Sequence, residues 1–210
     1  MNVTLFGASG IIGSAVGAEL EARDHRVRGV ARNPSGDGYP AVAGDAADPV
    51  TVRELVHGAD VVVSAVGPRR GTDDDTSVVV RVARTLLDVL REAPGTRLVV
   101  VGGAGSLRTP SGVALIDTPE FPEAWKPGSA AQGRALELYR GDDVVPWTYV
   151  SPAASISPGA RTGDHRIGGD DLLIDPTSGR SHISVEDFAV AVADVVETGV
   201  PERERITVAY

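Results

Sequence analysis

The chain has 210 residues, 42% hydrophobic and only 4% aromatic, so it can bury a substantial core made mostly of Val, Ala and Leu. Its formal net charge of −9 argues against anionic partners, and neither nucleic acid nor a membrane surface is expected to bind it. Cysteine is absent, which excludes disulfides, Cys-ligated zinc, iron–sulfur clusters and thiol catalysis; of the 20 basic residues all but Lys126 are arginine.

The N-terminus lacks the basic segment of a signal peptide, and no apolar run approaches membrane-spanning length, so a soluble, cytoplasmic protein is expected. The chain opens with an apolar run, Val3 to Phe6, that breaks at Gly7, with further glycines at Gly10 and Gly13. A helical pattern follows, placing Ile11, Ile12, Val16 and Leu20 on or near one face. Strand, glycine turn and helix in that order is the context of a dinucleotide-binding loop. Gly7 permits the tight turn, Gly10 lets the backbone approach a pyrophosphate, and Gly13 lets helix and strand pack closely. The helix N-terminus, with Ile11 and Ile12 expected to bind the cofactor, then offers unpaired N–H groups and a partial positive charge to the phosphates.

Arg26–Ala31 reads as a second strand, ended by the turn signal Arg32-Asn-Pro34, and a short strand over Ala41–Ala43 leads to Gly44-Asp45. Asp48 as N-cap and Pro49 at the first helical position open a helix through Leu55. Val61–Val66 is a continuous apolar run of the kind buried on both faces of a parallel sheet. Thr76 to Arg91 has helical periodicity and stops before Pro94-Gly95, and Arg97–Val101 forms another buried strand running into Gly102–Gly105. Leu107 to Gly128 carries four prolines and is expected to be a loop or lid. A helix from about Ser129 to Tyr139, a strand Trp147–Val150, a short strand Leu172–Ile174, a helix Val185–Thr198 and a last strand Ile206–Val208 complete the chain.

Strands alternating with helices imply right-handed βαβ units and a doubly wound parallel α/β sheet, a Rossmann fold. With no repeat or linker, residues 1–210 read as one domain whose substrate region comes from 106–131 and 151–184.

Cofactor choice is read at the end of the second strand. An acid there binds the ribose 2′-OH of NAD, whereas an arginine accommodates the 2′-phosphate of NADP. This chain places Val30-Ala-Arg-Asn33 there with no acid, which predicts NADP(H) over NAD(H), with Arg32 pairing the phosphate and Ser9 contacting the same end of the cofactor. The histidines are scattered singly, without metal-ligand spacing, and no metal is expected. Arg69-Arg70 and Asp73–Asp75 read as solvated surface.

Gly7-Ala-Ser-Gly-Ile-Ile-Gly13, Val30-Ala-Arg32, Gly44-Asp45 and Val63-Ser-Ala-Val-Gly67 together resemble an atypical short-chain dehydrogenase/reductase. The similarity is to the NAD(P)H-binding group of biliverdin reductase B-like and NADH-flavin reductases and NmrA-like proteins, which Leu138–Tyr149, Ser151-Pro-Ala153, Gly168-Gly169 and Ile183–Phe188 also resemble. The resemblance implies that Asp45 and Ala46 border the adenine, that Ala65, Val66 and Gly67 line the ribose, and that Pro152, Ala153 and Ala154 flank the nicotinamide. It also places Ser106 at the superfamily's active-site serine, where its hydroxyl either hydrogen-bonds the substrate or caps a helix or turn. Phe121 and Trp125 are placed either to anchor the loop to its own body or to stack on a planar acceptor, and Gln132 to make a polar contact to it.

The chain departs from the wider superfamily in one respect. Its members lower a tyrosine pKa with the lysine of Tyr-x-x-x-Lys, and no such pair exists here, because Lys126 is preceded four residues earlier by Pro122. The expected activity is hydride transfer from NADPH to a flavin or quinone-like acceptor, to which solvent can supply the proton. The alternatives are an NmrA-like NADP(H) sensor acting through a protein partner without turnover, and an isomerase or dehydratase that uses bound NAD.

Overall fold

Buried β-branched runs form the sheet. The computed structural model describes residues 1–34, 39–68 and 73–210. Strands β1 (Asn2–Phe6), β2 (Arg26–Ala31), β3 (Val42–Ala43), β4 (Val61–Ser64), β5 (Arg97–Val101), β6 (Trp147–Pro152), β8 (Arg166–Gly168) and β10 (Glu204–Ala209) make one eight-stranded sheet in the order β3-β2-β1-β4-β5-β6-β10-β8. Every pair is parallel except β10 with β8. The remaining strands, β7 (Ser155–Ser157) and β9 (His182–Ser184), pair with each other as a small parallel ribbon.

Helices α1 (Ile11–Ala22) and α5 (Val185–Thr198) cover one face of the sheet, while α2 (Pro49–Val56), α3 (Asp73–Arg91) and α4 (Lys126–Arg140) cover the other. Alternation along β5 shows the logic: Leu98 and Val100 enter the core under α3 and α4, and Val99 and Val101 the core under α1 and α5. The strand order reverses between β1 and β4, so the carboxyl ends of these strands flank the crevice in which doubly wound sheets bind ligands.

Local signals account for most boundaries. Asp48 caps α2 as expected, its carboxylate accepting from the N–H groups of Val50 and Thr51 at 3.2 Å each. Ser184 caps α5 through the Asp187 N–H, and Gly199 ends it in the left-handed region at φ 71°. Helix α4 starts at Lys126, earlier than expected, because Pro127 occupies its first turn, where no N–H partner is lost. The Leu107–Gly128 segment is a folded connection, with short 3-10 turns over Leu115–Asp117 and Glu123–Trp125. Its Thr109 and Leu115 N–H groups bond Val113 and Leu107 carbonyls.

One expected strand is corrected. Leu172–Ile174 forms no strand; β8 lies earlier, at Arg166–Gly168, although two of its three residues are exposed. Leu173 folds back onto Gly168, where a Cβ would stand 2.9 Å from the leucine Cδ2, so the apolar run covers the edge strand instead of replacing it. Among the described residues no helix is long and apolar enough to cross a membrane.

Candidate functional site

The turn after β1 is built so that only glycine fits at two of its positions. Gly7 has φ +82°, and a Cβ there would stand 2.6 Å from the Ala65 carbonyl oxygen at the end of β4. A Cβ on Gly13, in the first turn of α1, would come within 2.1 Å of the Gly7 carbonyl oxygen. Gly10 is less crowded, its nearest atom the same carbonyl at 3.3 Å, and it serves as N-cap of α1 with no side chain to cap the helix. Ser14 supports the turn from within the helix, its hydroxyl donating to the Ala8 carbonyl at 2.9 Å. The outcome is a helix N-terminus pressed against the β1–β4 crevice, with its first N–H groups free of side-chain caps, which is the arrangement that receives a pyrophosphate.

A cavity of about 250 Å³ opens at this point. Gly7, Ser9, Gly10, Arg32, Asn33, Asp45, Ala46, Ala65, Val66 and Gly67 all line it, so four separate chain segments singled out in the sequence converge. Phe6, Val30, Ala31 and Gly44 line it too, as do Val78 and Val82 of α3. These last two are not recognisable from sequence, because their helical periodicity reads as ordinary core packing. Arg32 is exposed and, among the described residues, makes no hydrogen bond or ion pair. Asp45 is also exposed, and its carboxylate is engaged by the Ala47 N–H at 2.9 Å, an Asx turn that shapes the β3–α2 connection.

Other expected residues lie apart from this cavity. Ile11 projects into solvent at 71% exposure, whereas Ile12 packs into the core beneath α1. Pro152 and Ala153 are buried at the carboxyl end of β6, and the Ala154 N–H donates to the Ser181 hydroxyl at 3.1 Å. β6 lies three strands beyond β1 in the same parallel array, so both groups share one edge of the sheet.

The first turns of α4 close over the ends of β4 and β5. Cβ atoms at Gly128, Gly105 and Gly103 would lie 3.0 Å from Pro68, 2.8 Å from Ser129 and 1.9 Å from the Gln132 side-chain oxygen. Gln132 therefore sits directly over the backbone that follows β5. Trp125 is half exposed and Phe121 partly buried in the preceding connection. Ser106 is held from below: its Oγ accepts from Arg205 Nη1 at 2.8 Å, while Nε of the same guanidinium donates to Asp170 at 2.6 Å. Arg205 is only 7% exposed, and the sequence signal for it is a charge at an inward position of the last strand. Arg69 and Arg70 lie outside the described residues.

No tyrosine in this chain is poised as an acid–base group near neutral pH. Burial pushes the Tyr149 phenol up to about 12, although the Gly103 N–H and the nearby Arg205 and Arg140 partly oppose it. Burial raises Tyr139 further, with Tyr149 adding to it. Burial and then the Glu21 carboxylate raise Tyr39, and burial and then Asp187 raise Tyr210. The superfamily's lysine would act in the opposite direction, favouring the phenolate.

A family model described as NAD(P)H-binding matches residues 7–198. The uncharacterized protein YwnB of Bacillus subtilis (strain 168) is 37% identical over 212 residues, covering 99% of this chain and 98% of YwnB. A candidate NADH-flavin reductase from Streptococcus pneumoniae TIGR4 superposes with a TM-score of 0.89 at 31% identity, covering 100% of this chain and 99% of that one. A candidate epimerase from Bacteroides thetaiotaomicron superposes with a TM-score of 0.88 at 37% identity, covering 100% of this chain and 96% of that one.

Proposed function

The chain belongs to the NAD(P)H-binding family, and on that premise we propose that it is an NADPH-dependent reductase that passes hydride to a flavin or quinone-like acceptor. The observation that carries the cofactor choice is Arg32, a guanidinium at the wall of the glycine-loop cavity that pairs with no group among the described residues, with no carboxylate in Val30-Ala-Arg-Asn33. A guanidinium makes paired, charge-assisted hydrogen bonds to a phosphate, which an acid at this position would repel. The cradle fits a dinucleotide, since Gly7 and Gly13 leave no room for side chains between the turn and the two strand ends.

When bound, the reduced nicotinamide supplies the hydride. The chain's own contribution is to hold and orient. Gly7 to Gly13 and the α1 N-terminus hold the pyrophosphate; Asp45 and Ala46 border the adenine; Ala65 to Gly67 line the ribose. Pro152, Ala153 and Ala154 flank the nicotinamide, and residues 106–131 and 151–184 form the acceptor side. There Gln132 offers an amide above Gly103, and Phe121 and Trp125 offer flat apolar surface. Ser106 uses a lone pair on Arg205 and retains its O–H to donate to an acceptor oxygen or nitrogen.

The acceptor class follows from what the site lacks. With no Tyr-x-x-x-Lys in the sequence, and with burial raising each of the four tyrosines, the lysine-activated phenol of the superfamily route has no counterpart here. Flavins and quinones accept hydride and take their proton from solvent, and the relative named as a candidate NADH-flavin reductase supports this class. The test is steady-state NADPH oxidation with FMN, riboflavin and quinones. Turnover with at least one is expected. Tight NADPH binding without turnover on any acceptor would overturn the reductase in favour of a redox sensor acting through a protein partner. Co-purifying NAD detected by mass spectrometry would favour an isomerase or dehydratase instead, the class to which the epimerase-named relative points.

A further inference from the structure

Tyr39 lies in the crossover from β2 to β3, a position where doubly wound sheets commonly carry a helix. Here ten residues, 32–41, join the two strands, and the described ones, 32–34 and 39–41, are not helical. The face of β2 beside α1 is covered in part by the ring of Tyr39. A Cβ built on Gly17 of α1 would stand 2.6 Å from the ring Cζ, and one on Gly29 of β2 would stand 2.9 Å from Cε1. The Gly29 position would also meet the Pro40 carbonyl oxygen at 2.3 Å. Two glycines, one on each element, thus form a slot that the ring fills, and the backbone after it lies directly on β2. The ring packs against the core under α1 and α5, together with Ala41.

That slot closes the same short crossover that Arg32 opens. Arg32 is restrained by the strand it leaves, since Ala31 pairs with Ala43. Seven residues after Arg32 the chain is held again, at Tyr39. We propose that Tyr39 is the positioning residue for the 2′-phosphate end of the cofactor site. By stapling the crossover to α1 and β2, it fixes the backbone that presents Arg32 and Asn33 to the cavity. This rests on the assignment of Arg32 to the 2′-phosphate. An exposed arginine gains binding strength when its backbone is already in place, because less freedom is lost on contact with the phosphate. The flat ring is the functional part, so Phe is the conservative replacement.

The test compares dissociation constants for NADPH and NADH at 25 °C in the wild-type protein and in Tyr39→Ala, Tyr39→Leu, Tyr39→Phe and Arg32→Ala, with thermal melts confirming that each is folded. Tyr39→Ala is expected to weaken NADPH roughly tenfold, the scale of a charge-assisted hydrogen bond, and to leave NADH within about twofold. Tyr39→Phe should restore the NADPH affinity. If Tyr39→Ala does not fold, Tyr39→Leu carries the comparison, with a selective NADPH loss of about threefold or more expected from partial filling of the slot. An equal loss for both nucleotides means that the ring only supports the fold, and overturns the proposal. So does no loss for either. Should Arg32→Ala itself bind NADPH as tightly as wild type, the assignment of Arg32 fails and Tyr39 falls with it. Weakened Arg32→Ala beside unaffected Tyr39→Ala overturns the role of Tyr39 alone.

Discussion

Replacing Gly13 by alanine separates the two jobs assigned to the glycine turn. The new Cβ would stand 2.1 Å from the Gly7 carbonyl oxygen and 2.9 Å from its carbon, both backbone atoms, whereas ordinary contact begins at about 3.4 Å. Either α1 or the turn must therefore retreat by more than about 1 Å. Alanine inside a helix gains about 1 kcal/mol over glycine. Overpacking against an unyielding backbone costs about 3 kcal/mol or more. The net is a loss of about 2 kcal/mol, which for a chain of this size lowers Tm by roughly 4–8 °C. Because α1 withdraws from the cavity, NADPH binding should weaken as well. Gly10→Ala behaves differently: its Cβ meets only the Gly7 carbonyl at 3.3 Å, and losing glycine at the N-cap costs about 0.5–1 kcal/mol. Its effect should appear in the NADPH dissociation constant, through obstruction of the pyrophosphate, with a Tm close to wild type. Differential scanning fluorimetry with and without NADPH reads both quantities. Wild-type Tm and affinity in Gly13→Ala would refute the steric account of this turn.

Arg32→Ala should weaken NADPH by roughly tenfold and leave NADH nearly unchanged, as measured by isothermal titration. Ser106→Ala should lower kcat with the preferred acceptor by about fivefold, the worth of one neutral hydrogen bond, without altering the NADPH dissociation constant; an unchanged kcat would confine Ser106 to its bond with Arg205. Asp187, fully buried, accepts from the Thr162 N–H and Oγ1, the Gly163 N–H and the Tyr210 hydroxyl at 2.5–2.8 Å. Burial pushes its carboxyl pKa up, but these four donors outweigh it and hold the group below its ordinary value. Glu19 is likewise lowered, first by Arg161 and, against the opposing effect of burial, by Arg23. A folded-state pKa below the unfolded one means stability that is fully present above about pH 4 and is lost as the pH falls through the folded value. Urea denaturation between pH 7 and pH 3 should show that loss. Asp187→Asn should flatten part of it and cost about 2–3 kcal/mol at pH 7, because an NH2 group replaces one oxygen that accepts from two of these donors, while the amide oxygen still accepts from the others.

The parts of the site written in local sequence are legible from the residues alone. Strand, glycine spacing and helix at Phe6 to Gly13, the Asp48-Pro49 cap, and the apolar runs at Val61 and Arg97 each carry their geometry in a few consecutive residues. The Leu172–Ile174 run misleads because an apolar triplet serves equally well as a strand or as a cover for one. In the fold it packs on Gly168. Arg205 and Asp187 are charged residues at inward positions, and sequence alone does not say what neutralises them. Their partners are Ser106 and Asp170 in one case and Thr162, Gly163 and Tyr210 in the other.

Composition and spacing by themselves determined a doubly wound sheet, a glycine turn after its first strand and the absence of a Tyr–Lys pair, because backbone sterics and strand or helix periodicity act over short stretches of chain. The convergence of the first turn, the end of β2, the start of α2 and the end of β4 on one cavity was decided only by the strand order. So were the placement of Gln132 over Gly103 and the slot that Gly17 and Gly29 open for Tyr39. These are contacts between residues distant in sequence. Such contacts depend on how crossovers bring elements side by side, and no local pattern encodes that distance.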